Sequence, residues 1–286
     1  MSNVSIFQEL TSERTRSAGG SGIAHMRFSR VGVQTILDRS YATSPVKLFT
    51  TRSLGGACWI YAATLGGGFV GGDAIRMTLD VGPGASALLT TQASTKVYRS
   101  LKPASQQISA IVRDDALLAV VPDPIVCYAG ADFSQEQRYD LACRANLVVV
   151  DWITSGRHAA GERWAFAHYT SRIHMARGGK RMLYDGLTLQ DETETIAERM
   201  GRFDVWASCI ITGPRLADAA AAIVDRIAQL PVRAHAEMIE SACALAGGGA
   251  LLRMAGSNVE QVGKHLRTQL HFLQPFLGDD PWARKW

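Results

Sequence analysis

Five side chains that could bind a metal or transfer a proton lie close together near the middle of the chain: Asp151, His158, Glu162, His168 and His174. Imidazole and carboxylate groups are ligands that nickel and zinc accept in proteins. The spacing lacks the paired histidines on a helix, or the paired cysteines, that fix a tight site. We therefore expect no tight metal site, and only weak metal contacts at His158 and Glu162.

A glycine-rich segment, GGGFVGGD at 66–73, matches the glycine spacing of a dinucleotide-binding loop. Such a loop needs a helix directly after it, because helix N-terminal amides hold the pyrophosphate. Here Ala74–Val81 alternates apolar and polar residues, which predicts a half-buried strand. No Lys-Ser or Lys-Thr pair follows the glycines, so a P-loop is excluded. The segment is better interpreted as a tight turn between strands.

No nucleophile stands in a recognisable motif. The chain has no G-x-S-x-G sequence, and its five cysteines form no C-x-x-C pair. A Ser-His-Asp set could still assemble in space, since such triads are defined by geometry. The odd cysteine count favours a reducing compartment, and we expect a cytoplasmic protein.

The polar segment TTQASTKVYRS at 90–100 lies within a strand-like context. Unsatisfied polar groups cost about 1–3 kcal/mol each when buried. The segment is therefore either an exposed edge strand or the wall of a wet internal passage or polar partner surface.

Period-two patterns dominate to about residue 190 and predict many short strands, including Ala24 to Phe28 and Trp164 to His168. The apolar run Leu147 to Val150 predicts a strand buried on both faces. Helical patterns are absent between these strands, which argues against a βαβ fold. The pattern is typical of a large antiparallel sandwich or a stacked β architecture.

Two amphipathic helices are predicted in the last third, at about 215–230 and 258–273. Ser257 and Glu260 have the spacing of a capping box for the second helix, and Pro275 is expected to end it.

A single domain is predicted over 22–286, with a β body at 22–190 and a mixed part at 191–286. A short helix is predicted within 191–200 of this mixed part. Residues 1–21 are expected to be a mobile lead-in.

The 286-residue chain has a net charge of +4 without clustered basic residues, so no nucleic-acid partner is predicted. The uncharged stretch at 53–72 is too rich in glycine for a membrane span, and no membrane association is expected.

Several ordered blocks together resemble the urease accessory protein UreD (UreH) family. They are GGGFVGGD, TTQASTKVYRS, Asp151-Trp152 with Ser155-Gly156-Arg157, Asp185-Gly186 and the closing Arg284-Lys285-Trp286. The resemblance implies a mainly β fold with a small helical part: an elongated, layered, β-helix-like or sandwich architecture with helices in the C-terminal third.

The resemblance also implies a non-enzymatic factor for urease maturation. Such a protein would bind urease apoprotein and accessory protein F, and through F the GTPase accessory protein G. It would hold no tightly bound cofactor and would pass Ni²⁺ transiently to urease along an internal polar passage. Two alternatives stay open: a scaffold that transfers no nickel, and a β-fold hydrolase with an unrecognised site.

From the matching blocks, the candidates that would line this passage are Asp73, Thr91, Gln92, Asp151, Arg157 and Asp185. The candidates for partner binding are Trp282, Arg284 and Trp286; the two tryptophans motivate this hypothesis, because tryptophan is enriched at binding hot spots.

Overall fold

A computed structural model describes residues 20–51, 55–231 and 233–283 of the chain. The predicted mobile lead-in at 1–21 lies almost wholly outside the described residues, and Ser21 already begins the first strand. Arg284 and Trp286 also lie outside them.

Strands account for most of the regular structure, as the period-two patterns predict. In chain order they are β1 Ser21–Val31, β2 Gln34–Ala42, β3 Val46–Thr50, β4 Cys58–Thr64, β5 Ala74–Val81, β6 Ser86–Thr91, β7 Thr95–Val97, β8 Ala104–Val112, β9 Leu117–Val120, β10 Ile125–Cys127, β11 Asp132–Leu141, β12 Asn146–Thr154, β13 His168–Arg177, β14 Lys180–Gln190, β15 Val205–Thr212, β16 Met238–Ala244 and β17 Ala250–Gly256.

The strands form two sheets that pack face to face. Sheet A has the order β14-β13-β11-β8-β5-β1-β2. Sheet B has the order β16-β17-β15-β12-β9-β6-β4-β3, and the short strands β7 and β10 attach to it beside β12. The mainly β, layered fold class is thus confirmed.

Pairing in the centre of both sheets is parallel, so the expected antiparallel sandwich is wrong and the stacked alternative is correct. The chain alternates between the layers: β4, β6, β9 and β12 lie in sheet B, whereas β5, β8, β11 and β13 lie in sheet A. Each return between parallel neighbours is made by a strand of the other sheet. No crossover helix is needed, which explains how parallel sheets form here without the βαβ units that usually build them.

The alternation of residues along each strand determines which side chains face the core between the sheets and which face outward. In β5, Ile75, Met77, Leu79 and Val81 are buried between the sheets, whereas Arg76 is exposed. Every residue of β12 is buried, as the apolar run at 147–150 predicts. One face of β12 contacts the core between the sheets, and the other contacts a second core beneath the helices.

The second core forms where helices cover the outer face of sheet B. The helices are α1 Ile196–Met200, α2 Ala217–Ala228, α3 Val259–Gln269 and α4 Gln274–Leu277, with 3₁₀ turns at His158–Ala160, Pro214–Leu216 and His271–Leu273. Of these, α1 packs instead against the core between the sheets, through the buried Ile196. Buried residues of α2 and α3, including Ile223 and Leu266, pack in this core. In the part of the chain that the structure describes, no helix is long and apolar enough to cross a membrane.

Three local predictions need correction. The cap of α3 is Asn258, whose Oδ1 accepts the backbone N–H groups of Glu260 (2.8 Å) and Gln261 (3.2 Å), so the predicted Ser257 capping box is wrong. A capping box does occur at α1, between Thr195 and Glu198. Pro275 lies in the first turn of α4 rather than ending a helix, because that position needs no backbone N–H.

The predicted strand from Trp164 to His168 is also wrong, since β13 begins only at His168. Trp164 has φ of 53°, in the left-handed region, which bends the backbone out of an extended path. Its indole N–H donates to the Phe203 carbonyl at 2.9 Å, so the side chain is fixed in a loop.

Candidate functional site

Polar side chains line two cavities in the otherwise apolar layer between the sheets. We call this set the polar track: Thr91, Gln135, Gln137, Asp151, Ser171, Asp185 and Ser208. Its members come from β6, β11, β12, β13, β14 and β15, so both sheets contribute. Buried polar groups are costly without partners, so each of these side chains needs a hydrogen bond within the protein or polar contact inside the cavities.

The first cavity has a volume of about 150 Å³ and lies on one side of Asp151. Thr91 and Gln92 line it near the surface, where Gln92 is exposed. The Thr91 hydroxyl donates to Asp123 Oδ2 at 3.1 Å and accepts the Asp123 backbone N–H at 2.8 Å. The polar segment at 90–100 therefore contributes both to the end of β6 and to a cavity wall.

Asp151 separates the first cavity from the second, because its side chain lines both. Gln135 Nε2 donates to Asp151 Oδ1 at 2.6 Å, and the Ser171 hydroxyl donates to Oδ2 at 2.5 Å. Gln135 also donates to Ser171 Oγ at 2.9 Å. Since Gln135 and Ser171 are register partners in sheet A and Asp151 lies on β12 of sheet B, these bonds join the two layers.

Burial raises the pKa of the Asp151 carboxyl to about 6. The hydrogen bonds from Ser171 and Gln135 oppose this rise in pKa, and the negative charge of Asp185 adds to it. Asp151 is therefore a carboxylate that ionises near neutral pH in the middle of the molecule. Such a group can bind a cation, but its burial disfavours holding a bare charge.

The second cavity has a volume of about 270 Å³ and extends from Asp151 towards the edge of sheet A. Asp185 of β14 and Ser208 of β15 line it. Arg253 of β17 also lines it and forms an ion pair with Asp185. The Asp185 side chain is 13% exposed and that of Arg253 is 41% exposed, so the pair lies where the cavity approaches solvent.

Four of the six predicted passage residues thus line these cavities: Thr91, Gln92, Asp151 and Asp185. Asp73 lines neither cavity; its carboxylate accepts the backbone N–H groups of Gly20 and Val70, each at 2.8 Å.

Arg157 also lies elsewhere, with its guanidinium 4.3 Å from the centre of the Tyr128 ring and bonded to Glu162. This hydrogen bond to Arg157 lowers the pKa of Glu162. The carboxylate also accepts the Ala129 backbone N–H at 3.2 Å. His158, the other predicted weak metal contact, is exposed in the first 3₁₀ turn. Across the described ranges, no group of three or more His, Cys, Asp or Glu side chains is arranged to hold a metal ion.

Trp282, a predicted partner contact, is 5% exposed and packs in the core beneath the helices. Its backbone N–H donates to Asp280 Oδ1 at 2.9 Å, and the Arg267 guanidinium lies 5.8 Å from its ring centre. In this chain alone, Trp282 therefore fixes the start of the C-terminal tail against the chain's own helices.

Sequence analysis missed the residues that complete the site: Gln135, Gln137, Ser171, Ser208 and Arg253. A signal for two of them is present in β11, where Gln135 and Gln137 alternate with the same parity as the buried Phe133 and Tyr139. Polar residues on the buried face of a strand predict an internal polar feature.

The chain matches a family model described as UreD urease accessory protein over residues 20–286. It is 46% identical to a urease accessory protein UreD of Sorangium cellulosum, covering 95% of this chain and 86% of that protein. It is also 40% identical to a urease accessory protein UreD of Anaeromyxobacter, over 92% and 89% of the two chains. A urease accessory protein D of Oryza sativa is 33% identical, covering 96% of this chain and 99% of that protein. This chain therefore belongs to the UreD family of urease accessory proteins.

Proposed function

We propose that this chain is a non-catalytic urease maturation factor that passes Ni²⁺ to urease along the polar track. Membership of the urease accessory family supports a role in urease maturation. The observation that carries the nickel-transfer step is the position of Asp151, which lines both cavities between the sheets.

A divalent ion needs polar groups along its whole path, because moving an ion into a medium of low dielectric costs several kcal/mol or more. The first cavity offers hydroxyl and amide oxygens, including those of Thr91 and Gln137. The second offers the carboxylates of Asp151 and Asp185 together with Ser208. Transfer also requires each contact to be weak enough to release the ion, which suits scattered oxygen ligands better than a closed metal site.

The geometry supports a transfer role better than hydrolysis. Neither cavity is lined by a histidine among the described residues. The Ser171 hydroxyl donates to Asp151, but its oxygen also accepts from Gln135, so it is held within a hydrogen-bonded partition between the cavities. We propose that the hydrogen-bonded group of Asp151, Gln135 and Ser171 guides ions and performs no covalent chemistry.

Replacing both carboxylates tests the transfer step. The double variant Asp151→Asn, Asp185→Asn keeps the side-chain shapes but removes the charges that would stabilise the ion in transit. Since each 1.4 kcal/mol of added barrier slows a step about tenfold, we expect the rate of urease nickel loading to fall at least about tenfold. The measurement is nickel content and ureolysis of urease matured with the cognate accessory proteins.

Asp140→Asn is the matched control, because Asp140 is an exposed carboxylate on the outer face of β11. It should load urease as the wild type does. Co-purification with urease separates the alternatives: normal assembly with impaired loading supports transfer. Normal loading by the double variant would favour a scaffold that transfers no nickel.

We further propose that the chain binds urease apoprotein and accessory protein F, and through F the GTPase accessory protein G. The family name supports a place in the urease accessory assembly. Because Trp282 is held within the chain's own core, we assign the binding of F to the tail beyond it, with Arg284 and Trp286 as candidate contacts.

A further inference from the structure

Arg253 occupies the position of a counter-cation at the end of the polar track. Its guanidinium pairs with Asp185, the carboxylate of the second cavity that lies nearer the sheet edge. Arg253 is on β17 of sheet B and Asp185 is on β14 of sheet A, so the ion pair joins the two layers across the cavity.

A guanidinium at this position opposes the entry or exit of another cation. It neutralises Asp185, and its own positive charge repels a divalent ion approaching Asp151. The charge of Asp185 reaches Asp151, since it contributes to raising the pKa of that carboxyl. The two carboxylates therefore belong to one electrostatic unit, and Arg253 balances part of its charge.

The exposure of the two partners differs in a way that allows the pair to open. With 41% of its side chain exposed, Arg253 can move its head group into water without crossing the core, whereas Asp185, at 13%, stays inside the cavity. Long arginine side chains commonly keep their apolar stem packed while the charged head reaches solvent.

We propose that Arg253 is the gate of the polar track, closing the second cavity by pairing with Asp185 until a divalent cation displaces its guanidinium. This inference rests on the proposed function, because it specifies how that passage is kept closed. The other residues of the polar track are side chains that could bind the ion. Arg253 differs from them, because it would restrict the passage of the ion.

Removing the positive charge of Arg253 tests the gate in the isolated protein. We expect Arg253→Gln to bind Ni²⁺ at least about tenfold more tightly than the wild type, because the competing guanidinium is gone. Arg253→Lys keeps a positive charge and should stay close to the wild-type affinity. The probe is nickel sulfate alone, titrated by isothermal calorimetry into purified chain at pH 7.5.

Two variants make the result specific. Arg138→Gln removes an arginine that pairs with Glu136 on the outer face of sheet A, and it should leave nickel affinity unchanged. Adding Asp185→Asn to Arg253→Gln should abolish the gain, since the freed carboxylate is then absent. Thermal melting of each variant establishes that it is folded.

Equal nickel affinity in Arg253→Gln and the wild type, or no measurable binding by either, would overturn the gate. This assay contains no urease, so its outcome is independent of the loading experiment. A tighter Arg253→Gln together with normal loading by the Asp151, Asp185 double variant would retain the gated site and refute its use in urease maturation.

Discussion

At the scale of single residues, Asp151 combines two properties that rarely coincide: it is 8% exposed, and it is a carboxylate. Its hydrogen bonds from Gln135 and Ser171 stabilise the ionised form, yet burial outweighs them and raises its pKa to about 6. An ionised Asp151 therefore destabilises the empty fold, and a bound cation would relieve that cost.

This balance gives a pH-dependent prediction for stability. Between the ordinary Asp pKa and about 6, the folded state holds a proton that the unfolded state has released, so the contribution of Asp151 to stability declines as pH rises through about 6. The difference between the ordinary Asp pKa and about 6 corresponds to about 3 kcal/mol of stability. We expect Asp151→Asn to raise the free energy of unfolding at pH 7.5 by up to this amount, and by less at pH 5.

Urea denaturation at the two pH values measures the effect, with Asp140→Asn as the exposed control. A variant that is less stable than the wild type at pH 7.5 would show that hydrogen bonds, not burial, dominate the energetics of Asp151.

In the 66–73 segment, Gly71 allows a close approach between two parts of the chain. A Cβ on Gly71 would lie 1.5 Å from Ser100 Oγ and 2.6 Å from the Lys102 carbonyl oxygen. The absence of a side chain therefore lets this segment pack against Ser100 and Lys102 just after β7, while Phe69 forms a β-bridge with Val97 in β7 itself. The turn interpretation from sequence is correct, but this packing contact depends on a distant segment that no local pattern reveals.

At the scale of elements, this contact predicts that alanine substitutions at two glycines differ in their effect on stability. Neither glycine has its backbone in the left-handed region. Gly71→Ala forces the backbone of the neighbouring segment to move, and overpacking of this kind costs about 1–3 kcal/mol. Gly186→Ala in β14 meets its nearest atom, Tyr184 Oη, at 3.7 Å, an ordinary contact, so it should be near neutral. Thermal melts of both variants make the comparison; equal melting temperatures would contradict the packing argument.

The elements themselves were predictable to different degrees. The strand at 74–81 follows from its alternating pattern and the strand at 147–150 from its continuous apolar run, because each face meets a uniform environment. Parallel pairing did not, since the sequence of a strand does not record which layer its neighbours occupy. The predicted and observed caps of α3 differ by one residue, because Ser257 and Asn258 are both good capping residues and only the backbone conformation selects between them.

The polar track was predictable only in part, because the sequence of a strand does not show which side chains of the other sheet face it. Asp151 and Asp185 could be selected through family resemblance, but their meeting depends on β12 packing across from β13 and β14. Arg253 could not be selected, because its significance comes entirely from the partner on the opposite sheet.

At the scale of the whole molecule, α2, α3, α4 and Trp282 pack on the face of sheet B that is opposite the polar track. Partner binding by the tail and ion passage between the sheets should therefore be separable. Removing residues 284–286 should abolish co-purification with accessory protein F while leaving the melting temperature unchanged, because Trp282 and its contacts stay in place.

Trp282→Ala should behave in the opposite way, since truncating a buried tryptophan typically costs about 3–5 kcal/mol of stability. Its loss of co-purification should follow its loss of folding. Retained binding of F after removal of 284–286 would contradict the tail assignment.

The alternation of strands between layers has a consequence for folding kinetics. Parallel neighbours such as β5 and β8 are separated by the strands β6 and β7 of sheet B, so their pairing must wait until the intervening chain has been positioned. Contacts with high sequence separation slow folding, because loop-closure entropy is lost before they form. The two sheets must therefore grow together, and a nascent chain that ends at any strand from β4 to β13 leaves an edge in each sheet that still lacks its next strand.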